Sequence, residues 1–342
     1  MQYRKLGHSG VSVSTLCLGT MMFGDRTDEA AAREIVAASR DAGVNFIDTA
    51  DAYTNGESER IVGRLIADER DRWVLATKVA NPVAASPARP DPNRSGLSRR
   101  WIMLAIDESL RRLNTDHVDV YYLHKEDHDT PLAESVSAVG DLIRAGKVRY
   151  LGLSNHRAWR LAEVVSLCRQ FGMPAPAVCQ PYYNAFNRMP EVELLPACGH
   201  YGIGVAPYSP IARGVLAGKY LPGQPPPEGS RAARNDRRMM QTEWREESLV
   251  LAQQVARHAS SRGLTPSQFA VNWVLNNRLV SSAIVGPRTL QQMQEYLGAI
   301  GKPFEADDEA LIDAIVPAGH PSTPGYNDPA YPIEGRVPLT GR

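Results

Sequence analysis

Short apolar runs alternate with longer amphipathic stretches along most of this 342-residue chain. Eight runs have the length of buried strands, and most are followed by a stretch with helical spacing of its apolar residues. In chain order the runs cover 16–20, 46–50, 74–78, 118–124, 148–155, 177–184, 202–210 and 281–287. This alternation predicts parallel βαβ units, and eight of them favour a closed barrel over an open sheet.

Several of the predicted helices carry clear start signals. Asp28 precedes a helical pattern over 29–42, and Ser98 precedes another over 99–113. Both residue types accept hydrogen bonds from the free N–H groups of a first helical turn. Thr265 is followed by proline, which is favoured at the first helical position. These signals support the helical half of the βαβ pattern.

Three segments lie outside the plain alternation. Residues 3–14 form two short alternating segments around a Ser-Gly pair, which predicts a β-hairpin closing the bottom of the barrel. Residues 221–240 are rich in Pro, Gly and Arg and interrupt the seventh crossover, and an extra helix is predicted from about Thr242 to Arg262. We therefore predict a single barrel domain over 1–316. The Pro/Gly-rich tail, 317–342, is expected to pack on the barrel or on a neighbouring subunit.

A doubly wound open sheet is the alternative fold. Its dinucleotide-binding fingerprint, GxGxxG after the first strand, is absent. The α/β (β/α)₈ TIM barrel is therefore the fold class that we expect.

The composition excludes some classes of partner. Lys+Arg and Asp+Glu both number 38, so nothing indicates a nucleic acid or an anionic membrane surface. The four cysteines form no CxxC pair, and we expect reduced thiols, a cytoplasmic location and no metal site. No apolar run approaches the roughly 20 residues that span a bilayer, and the first ten residues lack an apolar signal core.

Titratable groups recur where the predicted strands end. Asp48 ends the second run with Tyr53 just beyond it, Lys78 ends the third, and His124 ends the fourth. In a (β/α)₈ barrel these ends meet at one face, where catalytic residues lie. A lysine beside a tyrosine favours the phenolate and lowers the tyrosine pKa, which suits a general acid. The histidine is placed to orient a substrate oxygen.

Each of these residues alone also has an ordinary structural explanation. A single Asp or Lys at a strand end is commonly an ion pair or a helix cap, and a single histidine is commonly a hydrogen-bonded structural residue. The joint placement of four such groups on neighbouring strand ends favours the catalytic interpretation.

The segment FIDTADAYTNGESERIVGRLI at 46–66 resembles the aldo-keto reductase family. The resemblance continues at 96–124, 146–156, 180–188, 206–220 and 283–299, and so covers roughly residues 3–300. It is strongest to the branch that includes bacterial reductases and potassium-channel β subunits. These motifs are long and occur in the family's order.

The resemblance implies an NADPH-dependent oxidoreductase that reversibly reduces an aldehyde or ketone to an alcohol. Tyr53 would be the general acid/base, Lys78 would lower its pKa, Asp48 would pair with Lys78, and His124 would position the carbonyl. The implied cofactor-binding residues are Gly19, Thr20, Asp48, Ser154, Asn155, Gln180, Tyr208, Ser209, Pro210, Ile211, Arg213, Gly214, Lys219, Gly286, Arg288, Gln292 and Glu295. The implied substrate-binding residues are Met22, Tyr53, His124 and Glu126.

Four points on the cofactor and partners stay open at this stage. Arg288 favours NADPH over NADH, because a guanidinium can bind the 2′-phosphate bidentately. The arginines of 231–238 either close over the cofactor or are solvated, and Tyr296 replaces the asparagine that the family has near the adenine. Identical subunits could assemble into an oligomer.

Two other functions compete with the reductase. An NADPH-binding, redox-sensing regulatory subunit would keep the same four residues. A non-redox barrel enzyme, such as a lyase or isomerase, would lack tight nicotinamide binding.

Overall fold

The computed structural model describes residues 1–83 and 91–333, and its centre is a parallel eight-stranded sheet. An antiparallel hairpin, β1 (Tyr3–Lys5) and β2 (Ser12–Ser14), precedes it. The eight strands are β3 (Leu16–Gly19), β4 (Phe46–Asp48), β5 (Val74–Val79), β6 (Val118–Leu123), β7 (Val148–Ser154), β8 (Val178–Gln180), β9 (Gly204–Val205) and β10 (Ala283–Val285). Each pairs with the next in the chain, and β10 pairs with β3.

Backbone hydrogen bonds between the segments of β9 and β10 complete the ring. The Ser281 N–H donates to the Val205 carbonyl at 2.8 Å, and the Ile284 N–H donates to the Pro207 carbonyl at 3.0 Å. The sheet is therefore a closed barrel, and the predicted fold class is confirmed.

Helices connect the strands around the outside of the barrel. Their bounds are α1 (Glu29–Asp41), α2 (Glu57–Ile66), α3 (Arg99–Leu113), α4 (Leu132–Arg144), α5 (Ala158–Gln170), α6 (Leu194–Tyr201), α7 (Arg237–Thr242), α8 (Glu246–Ser261), α9 (Pro266–Asn276), α10 (Leu290–Leu297) and α11 (Ala306–Ile315). Every pair of consecutive barrel strands has at least one of them in its connection, as a right-handed βα repeat requires.

The predicted helix caps are present. The Asp28 carboxylate accepts from the Ala31 N–H at 2.9 Å, and the Ser98 hydroxyl accepts from the Trp101 N–H at 3.3 Å. Thr265 forms a reciprocal capping box with Gln268. Each cap satisfies a backbone donor that the first turn of a helix leaves free.

Two strands are much shorter than the apolar runs that predicted them. The run over 177–184 contributes only β8, and the run over 202–210 contributes only β9. Pro181 and Pro207 follow these strands and carry no N–H for the sheet ladder. Beyond the two prolines the pairing continues only as isolated bridges, Tyr182 with Tyr208 and Tyr208 with Ile284.

The N-terminal hairpin plugs the opposite end. Leu6 and Val13 are fully buried among the inward-facing side chains of the barrel. The His8 N–H donates to the Gly202 carbonyl at 2.7 Å, and the Ser281 hydroxyl donates to the Lys5 carbonyl at 2.9 Å. The barrel is thus closed at the N-terminal ends of its strands, and a site can form only at the C-terminal ends.

The insertion before β10 is longer and more structured than predicted. It contains the short helix α7, which ends at Thr242, so the extra helix α8 begins only at Glu246. Asp236 caps α7 by accepting from the Met239 N–H at 2.9 Å.

The described part of the tail, 317–333, lies against the barrel and the insertion. The Ser322 N–H donates to the Phe186 carbonyl at 3.0 Å, and Asp328 forms an ion pair with Arg238 at 2.6 Å. The rest of the predicted tail, 334–342, lies outside the described residues. Within 1–83 and 91–333, no helix has the combination of length and apolarity needed to cross a bilayer.

The hairpin plug gives a stability prediction. Replacing Leu6 by Ala should lower the free energy of unfolding by about 2–5 kcal/mol, because it leaves a cavity at the bottom of the barrel. Lys5→Ala, on the exposed side of the same strand, should change it by less than about 0.5 kcal/mol. Urea denaturation of both variants tests this. If the two substitutions lower the free energy of unfolding equally, the Leu6 side chain contributes no more to the core than the exposed Lys5.

Candidate active site

The period of two along the barrel strands determines which side chains reach the barrel axis. The inward-facing apolar residues near mid-barrel are Phe46, Ala76, Tyr122 and Val178. In a strand every second side chain points to the same face, so the residue two positions after each of these also points inward. These positions hold Asp48, Lys78, His124 and Gln180. Four polar side chains thus meet at the C-terminal end of the barrel.

A fully buried ion pair lies at the centre of this group. The Lys78 ammonium contacts the Asp48 carboxylate, and it also donates to the Thr49 carbonyl at 2.8 Å and to the Tyr53 hydroxyl at 3.2 Å. Burial alone would lower the pKa of Lys78, but Asp48 and Tyr53 outweigh it and hold that pKa above its ordinary value. Lys78 therefore keeps its positive charge at neutral pH.

Tyr53 comes from the turn after β4, which carries its hydroxyl back over the barrel. Burial raises the pKa of Tyr53, and the positive charge of Lys78 offsets only part of that rise. The sequence predicted a lowered pKa. Lys78 acts in that direction, but the removal of water from the phenol is the larger effect. Tyr53 is protonated at neutral pH.

His124 is a neutral imidazole beside Tyr53. Burial, followed by the charges of Lys78 and Lys125, brings its pKa well below the ordinary value. Its ring packs edge-on against Tyr53, with 5.9 Å between centroids and 77° between planes. Its Nδ1 lies 3.0 Å from Nδ2 of Asn81.

A hydrogen-bond network extends from this group across the barrel mouth. Gln180 Nε2 donates to Asp48 at 2.9 Å, and Asn155 Nδ2 donates to the His124 carbonyl at 2.9 Å. The Tyr208 hydroxyl donates to the Asn155 carbonyl oxygen at 2.9 Å. Because each group fixes the next, the polar side chains hold a set geometry before any ligand arrives.

A cavity of about 520 Å³ opens above these residues, within the size range of small-molecule and cofactor sites. Most of the site residues predicted from sequence line it. They are Gly19, Thr20, Asp48, Tyr53, His124, Ser154, Asn155, Gln180, Tyr208, Ser209, Pro210, Ile211, Arg213, Gly214, Lys219, Gly286, Arg288 and Gln292.

Four predicted site residues do not line the cavity, and one of them is Lys78, which is fully buried against Asp48. The Glu126 carboxylate accepts from the Arg157 N–H at 2.8 Å, and the Glu295 carboxylate accepts from the Thr265 hydroxyl at 2.8 Å. Met22 is half-buried, and its neighbour Met21 takes the lining position.

The cavity also contains residues that were not predicted or were left open. Arg231 of the insertion and Tyr296 line it, and both had been open questions. Asn81, Arg238 and Tyr331 line it as well. Asn81 follows β5, so the strand-end rule that found Lys78 would also have found Asn81. Tyr331 belongs to the tail, which was predicted to pack on the barrel or on a neighbouring subunit, but the sequence did not indicate which tail residue would reach the cavity.

One end of the cavity is strongly cationic. Burial, and then the charges of Arg288, Arg231 and Arg234, lower the pKa of Lys219. Burial and Arg213 likewise lower the pKa of Arg231. Like charges held together in a partly dry cavity repel one another, and a bound anion relieves that repulsion.

The loop after β9 reaches this end through an unusual backbone. Ser209, Ala212 and Arg213 have φ of 59°, 48° and 50°, a region that residues other than glycine seldom adopt. Each such residue costs on the order of 1–3 kcal/mol, and residues of this kind cluster at ligand sites. Among the described residues, no group of three or more His, Cys, Asp or Glu side chains could hold a metal ion.

The comparisons with known proteins agree with this geometry. Residues 15–317 match the Aldo/keto reductase family. The chain is 37% identical to a probable voltage-gated potassium channel subunit beta of Arabidopsis thaliana, over 88% of this chain and 91% of that protein. It is 33% identical to the oxidoreductase YrpG of Bacillus subtilis, over 95% and 98%. It is 32% identical to L-glyceraldehyde 3-phosphate reductase of Escherichia coli K12, over 93% of each.

The chain therefore belongs to the aldo/keto reductase family, as its sequence motifs indicated. It is an oxidoreductase that acts on carbonyl and alcohol groups.

The buried ion pair gives a prediction that does not depend on turnover. Lys78→Met should lower the free energy of unfolding by about 3–5 kcal/mol, because it leaves the Asp48 carboxylate buried without its counter-charge. Asp48→Asn should also destabilise the fold. Combining the two should cost clearly less than the sum of the single losses, and urea denaturation of all four proteins measures this coupling. Strict additivity would mean that the two charges do not stabilise each other.

Proposed function

We propose that this protein is an NADPH-dependent reductase that converts an aldehyde or ketone to an alcohol, reversibly, with Tyr53 as proton donor. The observation that carries the proposal is one juxtaposition. A protonated tyrosine, a charged lysine and a neutral histidine meet at one end of a cavity whose other end is cationic.

The residues present fit a dinucleotide cofactor. The cavity has room for an extended ligand, and Arg213, Lys219 and Arg231 supply the charge that a pyrophosphate needs. Arg288 and Gln292 also line the cavity and would recognise the 2′-phosphate of NADPH. Nearer the tyrosine, the polar residues suited to a carboxamide are Ser154, Asn155 and Gln180. When bound, the nicotinamide supplies or accepts the hydride.

Tyr208 is suited to form the flat wall beside the nicotinamide ring. Tyr182 stacks on the Tyr208 ring with 5.6 Å between centroids, and the Tyr208 hydroxyl donates to the Asn155 side chain. Because these two contacts fix the Tyr208 ring, its other face has a set orientation toward a bound ligand.

The proton transfer follows from the charges around Tyr53. The Tyr53 hydroxyl donates its proton to the carbonyl oxygen, and the phenolate that forms is stabilised by Lys78 at 3.2 Å. Asp48 keeps Lys78 charged and in place. His124, being neutral, can orient the carbonyl oxygen without competing for the proton.

The substrate side of the cavity is bounded by Met21, Asn81 and Tyr331. These walls are of mixed polarity and suit a small-molecule carbonyl or alcohol, and no nucleic acid or membrane partner is needed. Because Tyr331 lies there, we propose that the tail is part of the substrate site. The four cysteines are free and buried, which supports a reducing, cytoplasmic location.

A regulatory, NADPH-binding subunit is the second candidate, favoured by the potassium-channel subunit name of two similar plant proteins. NADPH oxidation followed by absorbance across a panel of aldehydes and ketones separates the two. Tight NADPH binding without turnover of any carbonyl would favour the regulatory function. A non-redox barrel enzyme would not bind NADPH tightly.

The first prediction from this proposal concerns the proton donor. Tyr53→Phe should reduce kcat for carbonyl reduction by about 10²- to 10⁴-fold, because it removes the general acid. NADPH binding, measured by fluorescence titration, should be retained. Tyr3→Phe, a matched change on the exposed hairpin, should leave both unchanged. Normal turnover by Tyr53→Phe would refute the assignment of the acid.

The second concerns cofactor choice. Arg288→Ala should raise the Kd for NADPH by about 10- to 100-fold, since a charged hydrogen bond contributes about 1.5–3 kcal/mol. The Kd for NADH, which lacks the 2′-phosphate, should hardly change. Arg278→Ala, at an exposed position outside the cavity, is the control. An equal rise for both cofactors would contradict a role for Arg288 in phosphate recognition.

A further inference from the structure

We propose that Asn81 is a positioning residue that holds His124 in the tautomer whose proton is on Nε2, so that an N–H faces the cavity. The tautomer is a property of the protein without ligands. Only the use of that N–H, as a hydrogen-bond donor to the substrate carbonyl, rests on the proposed function.

The contact between the two side chains carries the argument. Asn81 Nδ2 lies 3.0 Å from His124 Nδ1. An amide nitrogen can only donate, so Nδ1 must accept. A neutral imidazole has a single N–H, which is then on Nε2. In the described part of the chain, Nδ1 is the ring nitrogen of His124 that has a hydrogen-bond partner.

The ring remains neutral for separate reasons. It is largely buried, and Lys78 and Lys125 both oppose a second positive charge there. Tyr53, the other titratable group packed on the ring, is protonated and uncharged at neutral pH. The tautomer is therefore the remaining variable of His124, and Asn81 is the group that contacts it.

The residue before Asn81 has a strained backbone conformation. Ala80 is buried and has a φ of 135°, a conformation that side-chain-bearing residues rarely adopt. The Gly96 N–H holds it there by donating to the Ala80 carbonyl at 2.8 Å. The turn after β5 thus keeps a strained residue immediately before the side chain that contacts His124.

Both backbone groups of His124, its N–H and its carbonyl, form hydrogen bonds. Its N–H donates to the Val79 carbonyl at 2.9 Å, and its carbonyl accepts from Asn155 Nδ2 at 2.9 Å. These bonds fix the backbone of His124, and the ring itself packs edge-on against Tyr53. With the other tautomer, a lone pair of Nε2 would face the cavity, where it would repel a carbonyl oxygen.

Nitrogen NMR of the ligand-free protein tests the proposal directly. The protein is labelled with ¹⁵N-histidine, and His124→Asn identifies the His124 signals among the eight histidines. Near neutral pH, wild-type His124 should show a pyrrole-type Nε2 and a pyridine-type Nδ1. The reverse pattern would mean that Asn81 presents its oxygen, and would overturn the proposal without any variant.

Two substitutions then test whether Asn81 is the cause. Asn81→Asp has the same shape but can only accept, so it should move the proton to Nδ1 or produce an imidazolium. Asn81→Ala removes the donor and should give a mixture of tautomers. Asn93→Asp, the same change at an exposed position, should leave the His124 signals unaltered. Unchanged signals in both Asn81 variants would also overturn the proposal.

Kinetics connect the tautomer to the reaction. Asn81→Asp should lower kcat/KM for the carbonyl by about tenfold or more, while the Kd for NADPH stays close to wild type. Asn81→Asp should also give reduction a new pH dependence near neutrality, through the His124 that it makes titratable. If wild-type protein reduces no carbonyl, the proposed function fails, whereas the NMR result still decides the tautomer.

Discussion

The charge on Lys78 is the element on which the rest of the active site depends. It is fully buried, so it is stable only because the Asp48 carboxylate and the Thr49 carbonyl surround it. Its field reaches both functional groups beside it. It draws the pKa of Tyr53 down against a larger effect of burial, and it helps to keep His124 uncharged. One cation thus lies beside a protonated tyrosine and a neutral histidine at neutral pH.

The barrel makes this arrangement possible because its two ends differ. The hairpin fills the N-terminal end with Leu6 and Val13 and excludes water from below. At the other end the same inward-facing register brings Asp48, Lys78, His124 and Gln180 together, and all of these except Lys78 line the cavity. The buried ion pair is tolerated there because neighbouring groups form hydrogen bonds with both charged side chains, which offsets the cost of removing them from water. The apolar plug and the polar side chains therefore lie at opposite ends of the barrel.

The insertion and the tail complete the cavity from outside the barrel. Arg238 joins them, since it lines the cavity and forms an ion pair with Asp328 of the tail. Arg231 adds positive charge at the cationic end, and Tyr331 of the tail lines the cavity as well. The barrel therefore supplies the buried polar group, and the added segments shape the cavity above it.

Local sequence patterns determined the strands, the helix caps and the strand-end residues, because alternation and capping act between near neighbours in the chain. The shortening of β8 and β9 at Pro181 and Pro207 emerged only in the folded ring. The same holds for the choice of Tyr331 among the tail residues, and for the exclusion of Glu295 from the cavity. Even the direction of the Tyr53 pKa was decided by burial. Distances between segments far apart in sequence, and the water that they exclude, are properties of the folded chain alone.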